Sequence, residues 1–218
     1  MFISQHPNIL IIIILFLFLF YTDLYPQKHQ LYDDMVHISQ YICANEMTSL
    51  NKQPSVWIDS LFNYTMRFKN NDISETLFLL TFVTLQYKEM PLKIPIIEKE
   101  IFMPLPHPHD SLFNAKNKAM PKLFFYFSPV NKNDRDKYSH FFGNAFLSFN
   151  IDLFNLSKFM GIFVEYFEDT FKVEGAVDLK DIYTNFLGEI FGRNISENPN
   201  VLPSKVISSI DILFYMQL

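Results

Sequence analysis

His140, Glu165, Glu168, Asp169, Asp181 and Asn185 are the residues of this chain whose types could do chemistry. One imidazole among several carboxylates can hold a divalent cation or run general acid–base chemistry. Carboxylates that share a site also shift one another's proton affinity, as active sites do. The same side chains can instead form a buried hydrogen-bonded network that fixes how helices pack, with Asp178 and Asp181 serving as helix caps. No nucleophile elbow, P-loop, dinucleotide fingerprint or zinc-hydrolase motif accompanies them. A second candidate is His107-Pro108-His109-Asp110, where alternate histidines precede a carboxylate. It sits in Pro-rich loop text, and no further ligands cluster near it in sequence. No organic cofactor is signalled, and a divalent metal is the one group that these residue types would take.

Three helices must position the first cluster. One begins at Asp136 and runs to about Phe149, with Lys137, His140, Phe141 and Asn144 on one face at i, i+3, i+4 and i+7. The next starts at Ser157, a good N-cap, and carries Gly161, Glu165 and Glu168 along one stripe with Asp169 beside it. Phe159, Met160, Phe163, Tyr166, Phe167 and Phe171 cover the rest of its circumference, so most of that helix needs covering. The third opens at Asp178 and aligns Asp181, Asn185, Gly188 and Gly192 at i, i+4, i+7 and i+11. Each glycine inside a helix costs about 1 kcal/mol relative to alanine. Two in register imply the close approach of another backbone. If that stripe is buried, Asp181 and Asn185 need partners, and His140 and Lys137 are the available donors.

Asp-Lys-x-x-His-Phe from Asp136, Gly-x-x-x-Glu from Gly161, and Asp-x-x-x-Asn-x-x-Gly-x-x-x-Gly from Asp181 resemble the VanZ-like family. They also resemble a related group of small exported bacterial proteins of unknown function. The likeness covers about residues 134 to 193 and places Lys137, His140, Gly161, Glu165, Asp181, Asn185, Gly188 and Gly192 on the family's motif positions. The chain departs from the pattern in three ways. Glu168 stands where the family often has Gln, the usual Arg before the third helix is missing, and these helices are too short and interrupted to span a bilayer. The resemblance therefore implies a compact exported helical hairpin domain, membrane-apposed, with a shared polar cluster. It does not carry over glycopeptide resistance.

The whole chain sets the bounds. Of its 218 residues 49% are apolar, with 25 Phe and 11 Tyr against only 5 Gly, which favours helices over tightly turned β structure. The net charge of −5 argues against nucleic acid as a partner. Residues 134 to 197 concentrate that acidity, with 11 acidic and 6 basic residues. The lone Cys43 excludes an internal disulfide and reads as a small buried residue on a helix. Ile9 to Phe20 is an unbroken apolar run of 12 residues, short for a membrane span and suited to an export signal. No Lys or Arg precedes it and no small-x-small cleavage site follows, so burial in a core is one reading, while an uncleaved anchor competes with a cleaved signal. Either of these last two places the rest of the chain outside the cytoplasm.

The expected organisation is a signal or anchor over 1–26, a three-helix region over 27–90, a Pro-rich connector over 91–129 and a C-terminal helical domain over 130–218. In the three-helix region Leu31, Met35, Ile38 and Ile42 share a face. A second helix from about Ser55 to Phe68 buries Trp57, Ile58, Leu61, Phe62 and Thr65. Asp72-Ile73-Ser74-Glu75 reads as a capping box ahead of a nearly all-apolar helix carrying Leu77 to Tyr87. In the connector, Lys93 to Ile97 and Glu100 to Leu105 suit a short irregular hairpin around Glu98-Lys99, restricted to edges by proline. Val206, Ile207, Ile210, Leu213 and Phe214 give a last helix its docking stripe. The fold class is mainly α. The functional expectation is an exported, non-enzymatic envelope protein that binds a partner protein or the membrane surface. The alternative is an envelope hydrolase or metal- or small-ligand-binding protein using His140, Glu165 and Asp181. Convergence of these side chains in a solvent-open pocket favours the second, and burial under Phe side chains the first.

Overall fold

The computed structural model describes residues 29–50, 52–94, 99–125, 128, 133–151 and 179–215. The expected signal or anchor lies outside them, as do Asp178 and the expected helix with Gly161, Glu165, Glu168 and Asp169. Helix α1 spans 29–43 and buries Met35, Ile38 and Ile42, with Leu31 partly covered. Cys43 is half-buried rather than buried, because it is the last residue of α1 and the helix ends beside it. A short α2, Asn45–Ser49, adds Met47 to the core. Helix α3, Pro54–Phe68, starts with proline in its first turn and buries Trp57, Ile58, Leu61, Phe62 and Thr65, the face its periodicity selects.

Asn70 and Asn71 turn the chain out of α3 with φ of 54° and 63°. Asparagine tolerates that left-handed region better than most side chains. Asp72 then caps α4, Ile73–Val83, its Oδ1 accepting from the Glu75 amide at 2.9 Å. Only half of the expected capping box forms. The Glu75 carboxylate turns to Lys69 Nζ, 3.2 Å away, and not back to the cap. Helix α4 ends at Val83, short of Tyr87, with the Thr84 hydroxyl donating to the Leu80 carbonyl at 2.8 Å.

The hairpin exists with a different register from the expected one. Strands β1, Glu89–Ile94, and β2, Lys99–Pro104, pair antiparallel, with Glu89 opposite Pro104 and Pro91 opposite Phe102. The Pro-rich text also holds α5, Asp110–Ala119, which its flanking prolines conceal. Helix α6, Asp136–Asn150, follows, then α7, Leu179–Glu197, and α8, Pro203–Tyr215. Among the described residues there are eight helices and one two-stranded sheet, and the chain is mainly α. No described helix is long and apolar enough to cross a membrane.

Residues from both sides of the Pro-rich segment share one core. Trp57 of α3 meets Tyr138 of α6 edge-on at 5.0 Å, and Phe62 of α3 meets Phe191 of α7 at 5.4 Å. Phe124, from the segment before α6, packs on Tyr138 at 5.0 Å. The Tyr138 hydroxyl donates to the Leu123 carbonyl at 2.9 Å, so this buried ring keeps its polar end satisfied. Helix α6 lies between α4 and α7 and touches both extensively. On the α4 side Gly143 makes room: a Cβ there would come within 3.3 Å of Thr81 Cγ2. On the α7 side two more glycines do the same, and they frame the candidate site.

Candidate functional site

Gly188 and Gly192 of α7 face the backbone of α6. A Cβ on Gly188 would overlap the Phe141 carbonyl, and one on Gly192 would overlap the Ala145 carbonyl and the Ser148 hydroxyl. The absence of those Cβ atoms lets the two helices meet backbone to backbone. Ser148 uses the proximity, its Oγ donating to the Glu189 carbonyl at 3.0 Å. Phe141 and Phe191 stack at 5.3 Å beside the contact.

One to two turns toward the other end of the same interface, the polar residues take over. Lys137 Nζ donates to Asp181 Oδ1 at 2.6 Å and to Asp136 Oδ2 at 2.8 Å. Its side chain is only 4% exposed, against 28% for Asp136 and 34% for Asp181. Burial alone would lower the lysine's proton affinity. The hydrogen bonds to Asp136 and Asp181, and then their charges, outweigh it and raise the pKa, so Lys137 is a charged ammonium. Further along, Asn185 Oδ1 accepts from Asn144 Nδ2 at 2.8 Å and lies 3.1 Å from His140 Nδ1. That pairing uses the Nδ1-protonated tautomer. Asn144 also donates to the His140 carbonyl at 2.9 Å. His140 Nε2 is left 3.7 Å from Asp181 Oδ1, an ion pair only when the ring carries both protons.

The structure thus brings together Lys137, His140, Asn144, Asp181, Asn185, Gly188 and Gly192. Glu165, Glu168, Asp169, Asp178 and Gly161 lie outside the described residues. Asp136 belongs to the cluster although it is off the stripe that selected Lys137 and His140. Asp136, His140 and Asp181 each offer a ligand atom, and these atoms lie within 4.8 Å of one another. Among the described residues no other three potential metal-binding side chains come so close together. The lysine ammonium, however, is already hydrogen-bonded to both carboxylates, so a cation entering there would face its charge. The cluster is neither fully sealed nor a closed pocket. Lys137 is covered, while His140, 41% exposed, borders a mainly apolar groove of about 420 Å³ between α4 and α6.

Other polar links escaped the sequence pattern. Lys180 of α7 donates to Asp134 Oδ1 at 3.0 Å and to Ser128 Oγ at 2.7 Å, tying α7 to the segment before α6. Buried Glu189 pairs with Arg193 one turn on, the only one of these links with a readable i, i+4 spacing. Lys116 of α5 is 1% exposed and donates to the Val83 and Leu85 carbonyls at 2.8 and 2.7 Å. It therefore closes the C-terminal end of α4. His107-Pro108-His109-Asp110 forms the entry to α5. His109 Nδ1 accepts from the Leu112 amide at 3.4 Å, and Asp110 pairs with Lys88 at 2.8 Å. His37, with no partner evident in the sequence, bonds the Tyr64 hydroxyl at 2.9 Å and stacks on Phe68 at 4.4 Å.

Comparison with known proteins finds no matching family model, no matching curated protein and no matching solved structure.

Proposed function

We propose that the chain is an exported, non-enzymatic protein of a bacterial cell envelope in which the α6–α7 polar cluster is a structural lock. In this reading it works by presenting a helical body to a partner protein or to the membrane surface. The observation that carries the lock is the Lys137 ammonium, buried and hydrogen-bonded to both Asp136 and Asp181. A cation entering between those carboxylates would meet the Lys137 ammonium already bonded to both. Here an internal cation holds them, and the neighbouring amides and imidazole bond one another. Export and the envelope rest on the apolar run from Ile9 to Phe20 and on the resemblance to VanZ-like and related exported proteins. Thermal melts with and without EDTA test the lock. EDTA is expected to leave Tm unchanged, and His140→Ala and Asp181→Asn are expected to lower it in both conditions. N-terminal sequencing of protein from envelope and cytoplasmic fractions tests export. A pull-down from envelope fractions tests the partner.

A second reading has one observation in its favour, the convergence of Asp136, His140 and Asp181. There the cluster would take a divalent cation after Lys137 swings aside. It predicts a Tm that rises with added metal and falls with EDTA, an outcome that would replace the lock.

A further inference from the structure

Helix α3 turns Ser60, Asn63 and Arg67 toward solvent at i, i+3 and i+7. They line a groove of about 540 Å³ shared with Tyr41 of α1, Asn71 after α3 and Asn200 in the loop between α7 and α8. Its apolar lining comes from Phe62, Met66, Pro199 and Leu202. The volume lies within the range of roughly 300–1,000 Å³ typical of small-molecule sites. Tyr41 is held in place by face-to-face stacking on Tyr64, with ring centroids 3.6 Å apart and planes 3° apart. Asn71 is placed by the left-handed turn that ends α3, its amide donating to the Met66 carbonyl at 2.7 Å.

The polar groups of this groove differ from those of the α6–α7 cluster in one respect. The side chains of Tyr41, Ser60, Asn63, Arg67, Asn71 and Asn200 make no hydrogen bond or ion pair among the described residues. Arg67 is the one charged residue of the lining, in a chain whose net charge is −5. Asp59, next to Ser60 in sequence, is bonded to Ser204, and Glu46 lies within electrostatic reach of Tyr41. Three carboxamides, each both donor and acceptor, suit a ligand rich in hydroxyls. An aromatic wall and an apolar floor suit the C–H faces of a sugar ring. A guanidinium suits a single carboxylate, which it can grip with two parallel bonds. A polyphosphate would call for more cations, and an apolar ligand would strand the amides.

We propose that this groove binds an acidic saccharide, one or two pyranose rings bearing a carboxylate. The site uses no residue of the α6–α7 lock and stands or falls separately from it. The test is saturation-transfer NMR and calorimetric titration of the full chain with a glucuronate–N-acetylglucosamine disaccharide. Its neutral counterpart, with glucose replacing glucuronate, is run alongside. Wild type is expected to bind the acidic sugar more tightly. Arg67→Gln, at an exposed position, is expected to weaken that sugar about tenfold while leaving the neutral one nearly unchanged. Asn63→Ala, also exposed, is expected to weaken both. Unchanged melting temperatures would show that both variants fold. Binding of neither sugar, or equal affinity of wild type and Arg67→Gln for the acidic one, overturns the proposal.

Discussion

Lys137 Nζ sits 2.6 Å from Asp181 Oδ1, joining α6 to α7 across 44 residues of chain. The bond does more than connect two helices. With Asp136 at 2.8 Å on the same ammonium, it neutralises carboxylates that would otherwise repel where two backbones are in contact. Removing the lysine while leaving the acids strands charge at a partly buried interface. Lys137→Met is therefore expected to lower unfolding free energy by about 2–4 kcal/mol, below the fully buried case because Asp181 reaches water. Urea unfolding followed by circular dichroism measures this.

Gly188→Ala is expected to destabilise although alanine is the better helix former. The helix-propensity gain is about 1 kcal/mol. The added methyl would overlap the Phe141 carbonyl, part of a backbone that cannot swing aside like a flexible side chain. Overpacking costs typically about 1–3 kcal/mol, so the net effect of forcing the helices apart is a loss. Gly143→Ala, which meets only the Thr81 side chain at 3.3 Å, is expected to be better tolerated. The midpoints of the two urea curves make the comparison.

Lys116 gives stability a defined pH dependence. Burial lowers its pKa from 10.5 to about 7. Between those values the unfolded chain holds a proton that the folded chain has released, so stability rises with pH across that window. The slope is at most about 1.4 kcal/mol per pH unit, and this contribution is flat below the folded pKa, where both states are protonated. Cys43 is near enough to Lys116 to add its own titration. The quantity to measure is accordingly the difference between wild type and Lys116→Met. That difference is expected to shift in favour of wild type from about pH 7 upward. A pH-independent difference would contradict the assignment.

Asp59 holds the start of α8, accepting from the Ser204 amide at 2.9 Å and the Ser204 hydroxyl at 2.5 Å. Burial raises its carboxyl pKa despite those two bonds, so the charged form is carried at some cost near neutrality. Asp59→Ala removes the acceptor and is expected to cost about 1–2 kcal/mol. Asp59→Asn keeps an acceptor without the charge and is expected to lie closer to wild type. Thermal melts at pH 7 distinguish the two variants.

Local signals were legible where one residue type meets one local need. The i, i+3/i+4 spacing picked out the buried face of α3, and Asp72 announced the start of α4. Gly188 and Gly192, in register on one helix of a chain with only five glycines, pointed to a close backbone approach, and the polar residues one to two turns away pointed to donors on the facing helix. What stayed hidden was non-local. Lys116 reads as a surface residue until α5 is folded against the open end of α4. Asp136 lies off the helical stripe and joins the cluster only because the long lysine side chain bends back to it. Helix α5 is polar along most of its length and stands between prolines, so its text looks like loop. The first strand begins at Glu89, ahead of the expected Lys93, and takes in Pro91, which a two-stranded sheet tolerates because both of its strands are edges.

The lock itself is tested most directly by a double-mutant cycle on Lys137→Met and Asp181→Asn, measured by urea unfolding with EDTA present. If the ammonium bridges the helices, the two changes together should cost less than the sum of their separate costs, with a coupling of about 1–3 kcal/mol. Strict additivity would mean that Lys137 and Asp181 do not hold α6 to α7, and the structural account of the cluster would be wrong.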